Sequence, residues 1–331
     1  MKADTPLRLG SRRSPMAVAQ SRGVARLLTE RTGRPVDIVG VTTLGDVSKE
    51  QLTQIGGTGV FVSALRESLL RREVDFAVHS LKDLPTGAPQ GITLAAIPPR
   101  DDPRDALVAR NGAKLADLPP GARIGTGSPR RAAQLAVLRG DITCVPIRGN
   151  AGTRLAKVRD GELDAVVLAY AGLARIGHTD QVSEIFEPDD MVPAPGQGAL
   201  AVECRSDDAE LVALLATIDH GPTRAAVTAE RSLLAALEAG CSAPVGAYAT
   251  GYAGTGRLRL DAVVLGARSE TPPPGALDAG AANGTIVIRE SGEADAGEAA
   301  RLGRELAARM LALGAADLMR ADDTDGDDAH D

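Results

Sequence analysis

Two proline-rich stretches, Ile97-Pro98-Pro99-Arg100-Asp101-Asp102-Pro103 and Val192-Pro193-Ala194-Pro195-Gly196-Gln197-Gly198, constrain this chain more than any other feature. Proline has no amide donor and a fixed φ, so neither stretch continues a helix or a central strand. Around them, short apolar runs alternate with helix signals, the rhythm of a mostly parallel sheet covered by helices. Before the first stretch come the strand Leu7 to Gly10, Ser14-Pro15 opening a helix towards Gly33, the strand Val36 to Val41, a helix over Ser63 to Arg72, and a buried strand centred on Val78. After it come the strand end Arg123-Ile124-Gly125, a helix opened by Thr126-Gly127-Ser128-Pro129, the strand Ile142 to Ile147, the turn Arg148-Gly149-Asn150, a helix bearing Arg154, and the apolar strand Ala165 to Ala169. The strand-like Ala199 to Glu203 is expected to return to the first sheet. Two crossings between two α/β lobes are the connectivity of a hinged, cleft-forming binding fold.

A third region begins near Pro222 with a long helix ended by Gly240. Strand-like segments Val245 to Thr250, Leu258 to Leu265 and Thr285 to Arg289 follow, interrupted by a loop from Ser269 to Gly284, and a last helix stops at Gly314. The expected fold is therefore α/β: two lobes around a cleft plus a small C-terminal α+β domain. The expected boundaries are residues 1–98 with 199–218, residues 103–193, and residues 221–318, with 319–331 a disordered acidic tail.

Composition narrows the function. Aromatic residues make up 2% and Trp is absent, which removes the stacking platforms of single-strand nucleic-acid binders, and the net charge of -7 points the same way. No apolar run reaches membrane-spanning length, and the first twenty residues lack the continuous apolar core of a signal peptide. Three cysteines without framework spacing suit reduced thiols in a cytoplasm, and four dispersed histidines suggest no metal site.

The stretch Asp75-Phe76-Ala77-Val78-His79-Ser80-Leu81-Lys82-Asp83-Leu84-Pro85-Thr86 places a Lys and an Asp in the loop at the carboxyl end of a strand, where open α/β sheets bind ligands. They form a reactive pair or, alternatively, two solvated charges. Arg12, Arg13, Lys82, Arg130, Arg131, Arg148, Arg154 and Arg175 all fall at strand ends or helix starts of the two lobes. Cations gathered there favour acidic ligands, because burying them unpaired is costly. Gly125-Thr126-Gly127-Ser128 opens a helix as a phosphate cradle would, but there is no Walker Lys and no dinucleotide fingerprint. Cys241 lies just past a helix C-terminus, where the dipole disfavours a thiolate, and reads locally as a small half-buried residue. Cys144 and Cys204 read as structural, and His79 as a core histidine. On these residues alone, a non-catalytic binder of small dicarboxylates and a cysteine-nucleophile transferase stay open, although no His is placed near Cys241.

Five further runs carry a resemblance. Val78 to Pro85, Arg100 to Ala106, Arg148-Gly149-Asn150 with Gly152-Thr153-Arg154, Pro193 to Gly198, and Gly240-Cys241-Ser242-Ala243-Pro244-Val245-Gly246 together resemble the porphobilinogen deaminase (hydroxymethylbilane synthase) family, collinearly from about residue 7 to 318. The resemblance implies two lobes like a periplasmic binding protein and a third domain carrying a cofactor cysteine. It implies a transferase that joins four porphobilinogen molecules head to tail, releasing ammonia, to give linear hydroxymethylbilane for haem-type tetrapyrrole synthesis. It implies a dipyrromethane cofactor in thioether linkage to Cys241, and Asp83 as the catalytic carboxylate. Ser80, Lys82, Asp83, Thr126, Ser128, Arg130, Arg131, Arg148 and Gly149 match cofactor-binding positions. Arg12, Ser14, Phe61, Arg148, Arg154, Arg175 and Gln197 match positions near the incoming substrate. A cytoplasmic monomer that passes its product to uroporphyrinogen-III synthase, and that binds no metal, nucleic acid or membrane, is expected. Two residues depart from the family pattern: Thr58 stands where many relatives have Lys, and Gly127 replaces a common Ser.

Overall fold

A computed structural model describes residues 5–41, 59–239, 243–252, 254–267, 277–278 and 284–321. Cys241, Thr58, most of the 45–59 loop, most of the 269–284 loop and residues 322–331 of the acidic tail lie outside these residues, while residues 319–321, expected as the start of that tail, are helical. The chain divides into two compact units, residues 1–101 with 198–224 and residues 102–197 with 225–331. It passes between them three times, at 101–102 and 197–198, within the two proline-rich stretches, and at 224–225.

In the first unit, β1 (Leu7–Ser11), α1 (Pro15–Thr32), β2 (Val36–Gly40), α2 (Gly59–Leu70), β3 (Phe76–Ser80) and β4 (Ile92–Ala96) follow in order. Helix α1 starts where the sequence places it: the Ser14 hydroxyl caps it by accepting from Ala17 N, Pro15 fills the first turn, and Gly33 closes it at φ 71. Its buried face is Gln20, Ser21, Val24 and Leu28, a helical stripe that packs into a core with Leu7, Leu9, Phe76 and Val78.

In the second unit come β5 (Asp105–Ala109), β6 (Arg123–Gly125), α3 (Pro129–Leu138), β7 (Thr143–Val145), α4 (Ala151–Arg159), β8 (Ala165–Ala169), α5 (Tyr170–Arg175) and β9 (Glu184–Ile185). The strand expected over Ile142 to Ile147 shortens to three residues at Pro146, which cannot donate to the ladder. The chain then returns to the first unit as β10 (Leu200–Arg205) and α6 (Ala209–Leu215).

The two sheets share one plan, β2-β1-β3-β10-β4 and β7-β6-β8-β5-β9. In each, the fourth strand runs antiparallel to the third: β10 pairs with β3, Leu200 opposite Ser80, and β5 pairs with β8, Asp105 opposite Ala169. Each of these strands is the one delivered by a crossing. The rhythm predicts parallel strands; the crossing, which brings the chain in from the other unit, supplies the exception.

The second unit also holds α7 (Gly221–Ala236, which starts at the unit boundary), β11 (Val245–Gly251), β12 (Arg257–Ala267), β13 (Leu277–Asp278), β14 (Thr285–Asp295), α8 (Ala299–Ala312) and α9 (Ala315–Ala321). Their antiparallel sheet runs β11-β12-β14-β13. Strand β14 extends six residues past the expected Arg289, because each residue of its 11-residue length pairs with β12. Gly314, at φ 93, breaks the last helix only to let it resume as α9. Leu233, Leu260, Ile288, Leu302, Leu306 and Met310 are among the residues that close this core. Two α/β lobes and a smaller α+β domain are the fold class expected from the sequence. Among the described residues no helix is long and apolar enough to cross a membrane.

Candidate active site

Strand β3 is central in its sheet, and the chain leaves its carboxyl end in one tight turn, Leu81–Asp83. Leu81 N donates to Ala199 O at 3.0 Å and Leu84 N to Leu81 O at 3.1 Å. The side chains of Leu81 and Leu84 are buried. Two apolar anchors therefore fix the turn, and Lys82 and Asp83 between them stand half-buried. The Asp83 carboxylate has no hydrogen bond or ion pair among the described residues. Beside it, Ser80 Oγ accepts from Gln20 Nε2 at 2.8 Å. Ser14 is committed to capping α1, Arg12 is half-buried, and Arg13 is exposed along Gly40. Phe61 lies in α2, with its side chain outside the description.

His79 is buried, as expected of a core residue, and its Nε2 stands 3.3 Å from Glu203 Oε2, outside hydrogen-bond geometry. Arg66 grips the same carboxylate with Nη2 at 2.7 Å and Nε at 3.0 Å. Burial acts to raise the Glu203 carboxyl, but His79 and Arg66 outweigh it and hold the pKa down at about 2, from an ordinary 4.5. A carboxyl depressed in the folded state stabilises the fold above its unfolded pKa, and that contribution disappears as pH falls from about 4.5 to about 2. The shift corresponds to about 3 kcal/mol. Glu203→Gln is expected to be less stable than the parent near neutrality, with the gap narrowing towards pH 2. Urea unfolding at stepped pH measures this, and parallel curves would contradict it.

In the second unit, a single carboxylate organises the start of α3. Asp105 is fully buried; its Oδ2 lies 2.7 Å from Arg130 Nη2, and its Oδ1 lies 2.7 Å from Arg131 Nη2 and 3.0 Å from Arg131 Nε. Gln197, also fully buried, donates from Nε2 to Asp105 Oδ1 at 2.8 Å and to Pro103 O at 2.7 Å. Arg130 Nη1 donates to Val192 O, and Arg131 Nη1 to Val167 O. Burial acts to raise the Asp105 carboxyl, but the charges of Arg130 and Arg131 outweigh it and hold it well below the usual range. Removing one member of so buried a group costs about 3–5 kcal/mol, because a charge is left without its partner.

The sequence reading assigns ligand anions to these arginines; the structure shows that Asp105 already serves two of them. One carboxylate does not balance the cluster, however. Burial lowers the pKa of the half-buried Arg154, and the nearby Arg131 charge adds to that. Arg154 Nε donates to Gly149 O at 2.9 Å. Arg148 is exposed, with no hydrogen bond or ion pair among the described residues. Arg175 is half-buried at the end of α5. Around them, Thr126 Oγ1 accepts from Ser128 N, Ser128 Oγ caps α3, and Asn150 Oδ1 caps α4. Gly149 takes φ 105, a conformation that keeps a side chain out of this turn. A Cβ at Gly127 would lie 2.6 Å from Ile147 O, so a Ser there would not fit this backbone without a shift. The neighbouring charges of Arg131 and Arg154, with the donors at the start of α3, suit an acidic organic group such as a carboxylate-bearing dipyrromethane. Among the described residues no group of three or more His, Cys, Asp or Glu is placed to hold a metal ion.

Asp105, Glu203 and Glu230 are the functional-looking acids that the sequence reading did not single out. Asp105 and Glu203 share a signal, an acid at the end of an apolar run, Asp105-Ala106-Leu107-Val108 and Leu200-Ala201-Val202-Glu203; Glu230, beside Arg231, has none.

Residues 7–213 match the family model for the porphobilinogen deaminase, dipyromethane cofactor binding domain, and residues 224–271 match that for the porphobilinogen deaminase C-terminal domain. The chain is 59% identical over 312 residues to porphobilinogen deaminase of Thermobifida fusca, covering 94% of this chain and 95% of that protein. It is 57% identical over 324 residues to porphobilinogen deaminase 1 of Streptomyces coelicolor, covering 95% and 97%. It is 50% identical over 313 residues to porphobilinogen deaminase of Mycobacterium tuberculosis, covering 95% and 98%. Among solved structures, a periplasmic substrate-binding protein from Coxiella burnetii covers 66% of this chain and 93% of its own at a TM-score of 0.39 and 15% identity.

Proposed function

The chain belongs to the porphobilinogen deaminase family, and from that premise we propose that it is a transferase joining four porphobilinogen molecules head to tail. Each joining releases ammonia, and the product is linear hydroxymethylbilane for tetrapyrrole synthesis. The observation that carries the reading at the residue level is the Leu81–Asp83 turn, which holds at the end of a central strand a half-buried carboxylate with no hydrogen bond or ion pair among the described residues.

Asp83 is the proposed catalytic group. It accepts hydrogen bonds from the substrate's ammonium and pyrrole N–H groups and so assists departure of the amine. It then offsets the positive charge left on the substrate and takes the proton lost when the ring regains aromaticity. A dipyrromethane in thioether linkage to Cys241 supplies, when bound, the acceptor for the first joining. Ser80, Lys82, Thr126, Ser128, Arg148 and Gly149 are the proposed holders of its polar and acidic groups, with Arg130 and Arg131 providing charge from behind. Arg12, Ser14, Phe61, Arg148, Arg154 and Arg175 are assigned to the incoming substrate. Gln197 acts through Asp105 and Pro103 rather than by contact, since its amide is buried and engaged.

The proposal also takes in the three domains with the boundaries given above, a monomer working in the cytoplasm, and transfer of its product to uroporphyrinogen-III synthase. Intact mass under denaturing conditions, followed by ammonia counted against porphobilinogen consumed, tests the reading. A mass above that of the polypeptide by one dipyrromethane and a one-to-one ratio are expected. A bare polypeptide mass with no ammonia would overturn it.

A further inference from the structure

Glu230, on α7, is fully buried, and its two oxygens serve two different segments. Oε2 accepts from Gly196 N at 2.6 Å, and Oε1 accepts from Ala249 N, in β11, at 2.9 Å. Elements α7 and β11 flank Cys241 in the chain, and Gly196 belongs to the second crossing. The crossing lies close along β11: Ala247 N donates to Pro193 O at 2.9 Å, and a Cβ at Gly246 would sit 2.8 Å from Val192 O. Its other side is gripped by the start of α3. Val192 O accepts from Arg130 Nη1 at 2.6 Å and from Gln134 Nε2 at 3.1 Å, while Val192 N donates to Gln134 Oε1 at 2.7 Å. Gln197 ties the end of the segment to Asp105, and hence to Arg131.

Residues 192–197 are thus a brace, with the elements flanking Cys241 on one side and the Arg130–Arg131 pair on the other. Two prolines within the segment stiffen it. We propose that Glu230 is a positioning residue that, through this brace, sets α7 and β11, which precede and follow Cys241 in the chain, relative to Arg130 and Arg131 and so determines how firmly a group anchored at that cysteine is held. The proposal rests on the functional reading above. A group fixed at one end by a covalent bond and at the other by cations stabilises the fold most when the spacing between its two holds is preset.

Glu230→Gln tests it, since an amide offers one acceptor where two backbone N–H groups point. The parent and the variant are prepared unloaded, from cells unable to make porphobilinogen, and then given porphobilinogen, with the adduct followed by intact mass. The gain in Tm on loading is expected to fall by roughly half or more, and the rate of adduct formation by about tenfold or more. A purely structural carboxylate would lower the Tm of loaded and unloaded chain equally and leave the gain unchanged, which would overturn the proposal. Should Glu230→Gln not fold, Gln134→Met, which loosens the other grip on Val192, decides by the same two readouts. A parent chain that acquires no adduct would overturn the functional reading and this proposal together, whereas a parent that loads normally beside variants with unchanged gain would overturn this proposal alone.

Discussion

Asp83→Asn is expected to keep its covalent adduct and its fold while turning over porphobilinogen about two to three orders of magnitude more slowly. A carboxylate about 4 Å from a developing cation contributes about 4 kcal/mol at an effective dielectric of 20, and the neutral amide contributes little of it. Each 1.36 kcal/mol is tenfold in rate, so the loss falls in that range. Little else should change. The turn around Asp83 is held by Leu81 N to Ala199 O and by two buried leucines, none of which involves the carboxylate. Single-turnover ammonia release, with intact mass and a thermal melt as controls, measures the effect. Near-parental turnover in a loaded variant would remove Asp83 from the mechanism.

Cys241→Ala is expected to abolish the adduct altogether, and with it turnover. No other thiol is suited to take its place. Cys204 is fully buried, and burial first, then the Asp208 charge, pushes its thiol up to about 11. Cys144 is half-buried in a strand, and its thiol too is pushed up by burial. Both stay protonated near neutrality and present little sulfur to an electrophile. Intact mass of the purified variant, before and after exposure to porphobilinogen, is the measurement. A variant that still carries the full adduct would show that the anchoring sulfur is elsewhere, and peptide mapping would then locate it.

The residues that sequence reading captured best act locally. Ser14-Pro15 and Gly33 mark the ends of α1 because a cap needs only a hydroxyl, a ring and an αL position within one turn of chain. The apolar run Ala165–Ala169 is a strand wherever it packs, and the Lys82-Asp83 pair follows a buried strand because two leucines and a proline frame it. His79 read correctly as a core residue, although the acid that meets it, Glu203, lies 124 residues further on, a separation no local pattern spans.

The arginines show the opposite case. Arg130 and Arg131 look from the sequence like two of eight equivalent cations awaiting a ligand. Only the sheet order, which inserts β5 antiparallel beside β8, sets Asp105 under both of them. Arg148, six residues before Arg154 in the chain, keeps its charge exposed for want of any such neighbour among the described residues.

What the sequence determined by itself was the number of α/β units, the two crossings, both ends of α1, and the short runs that mark the family, since each depends on neighbours a few residues apart; the helix expected over Ser63 to Arg72 instead runs Gly59–Leu70. What tertiary structure decided was which charges are spent inside the protein and which remain for a ligand. Pairing of a buried charge depends on segments that come together only when the crossings insert their strands, and the cost of leaving such a charge alone makes that placement decisive.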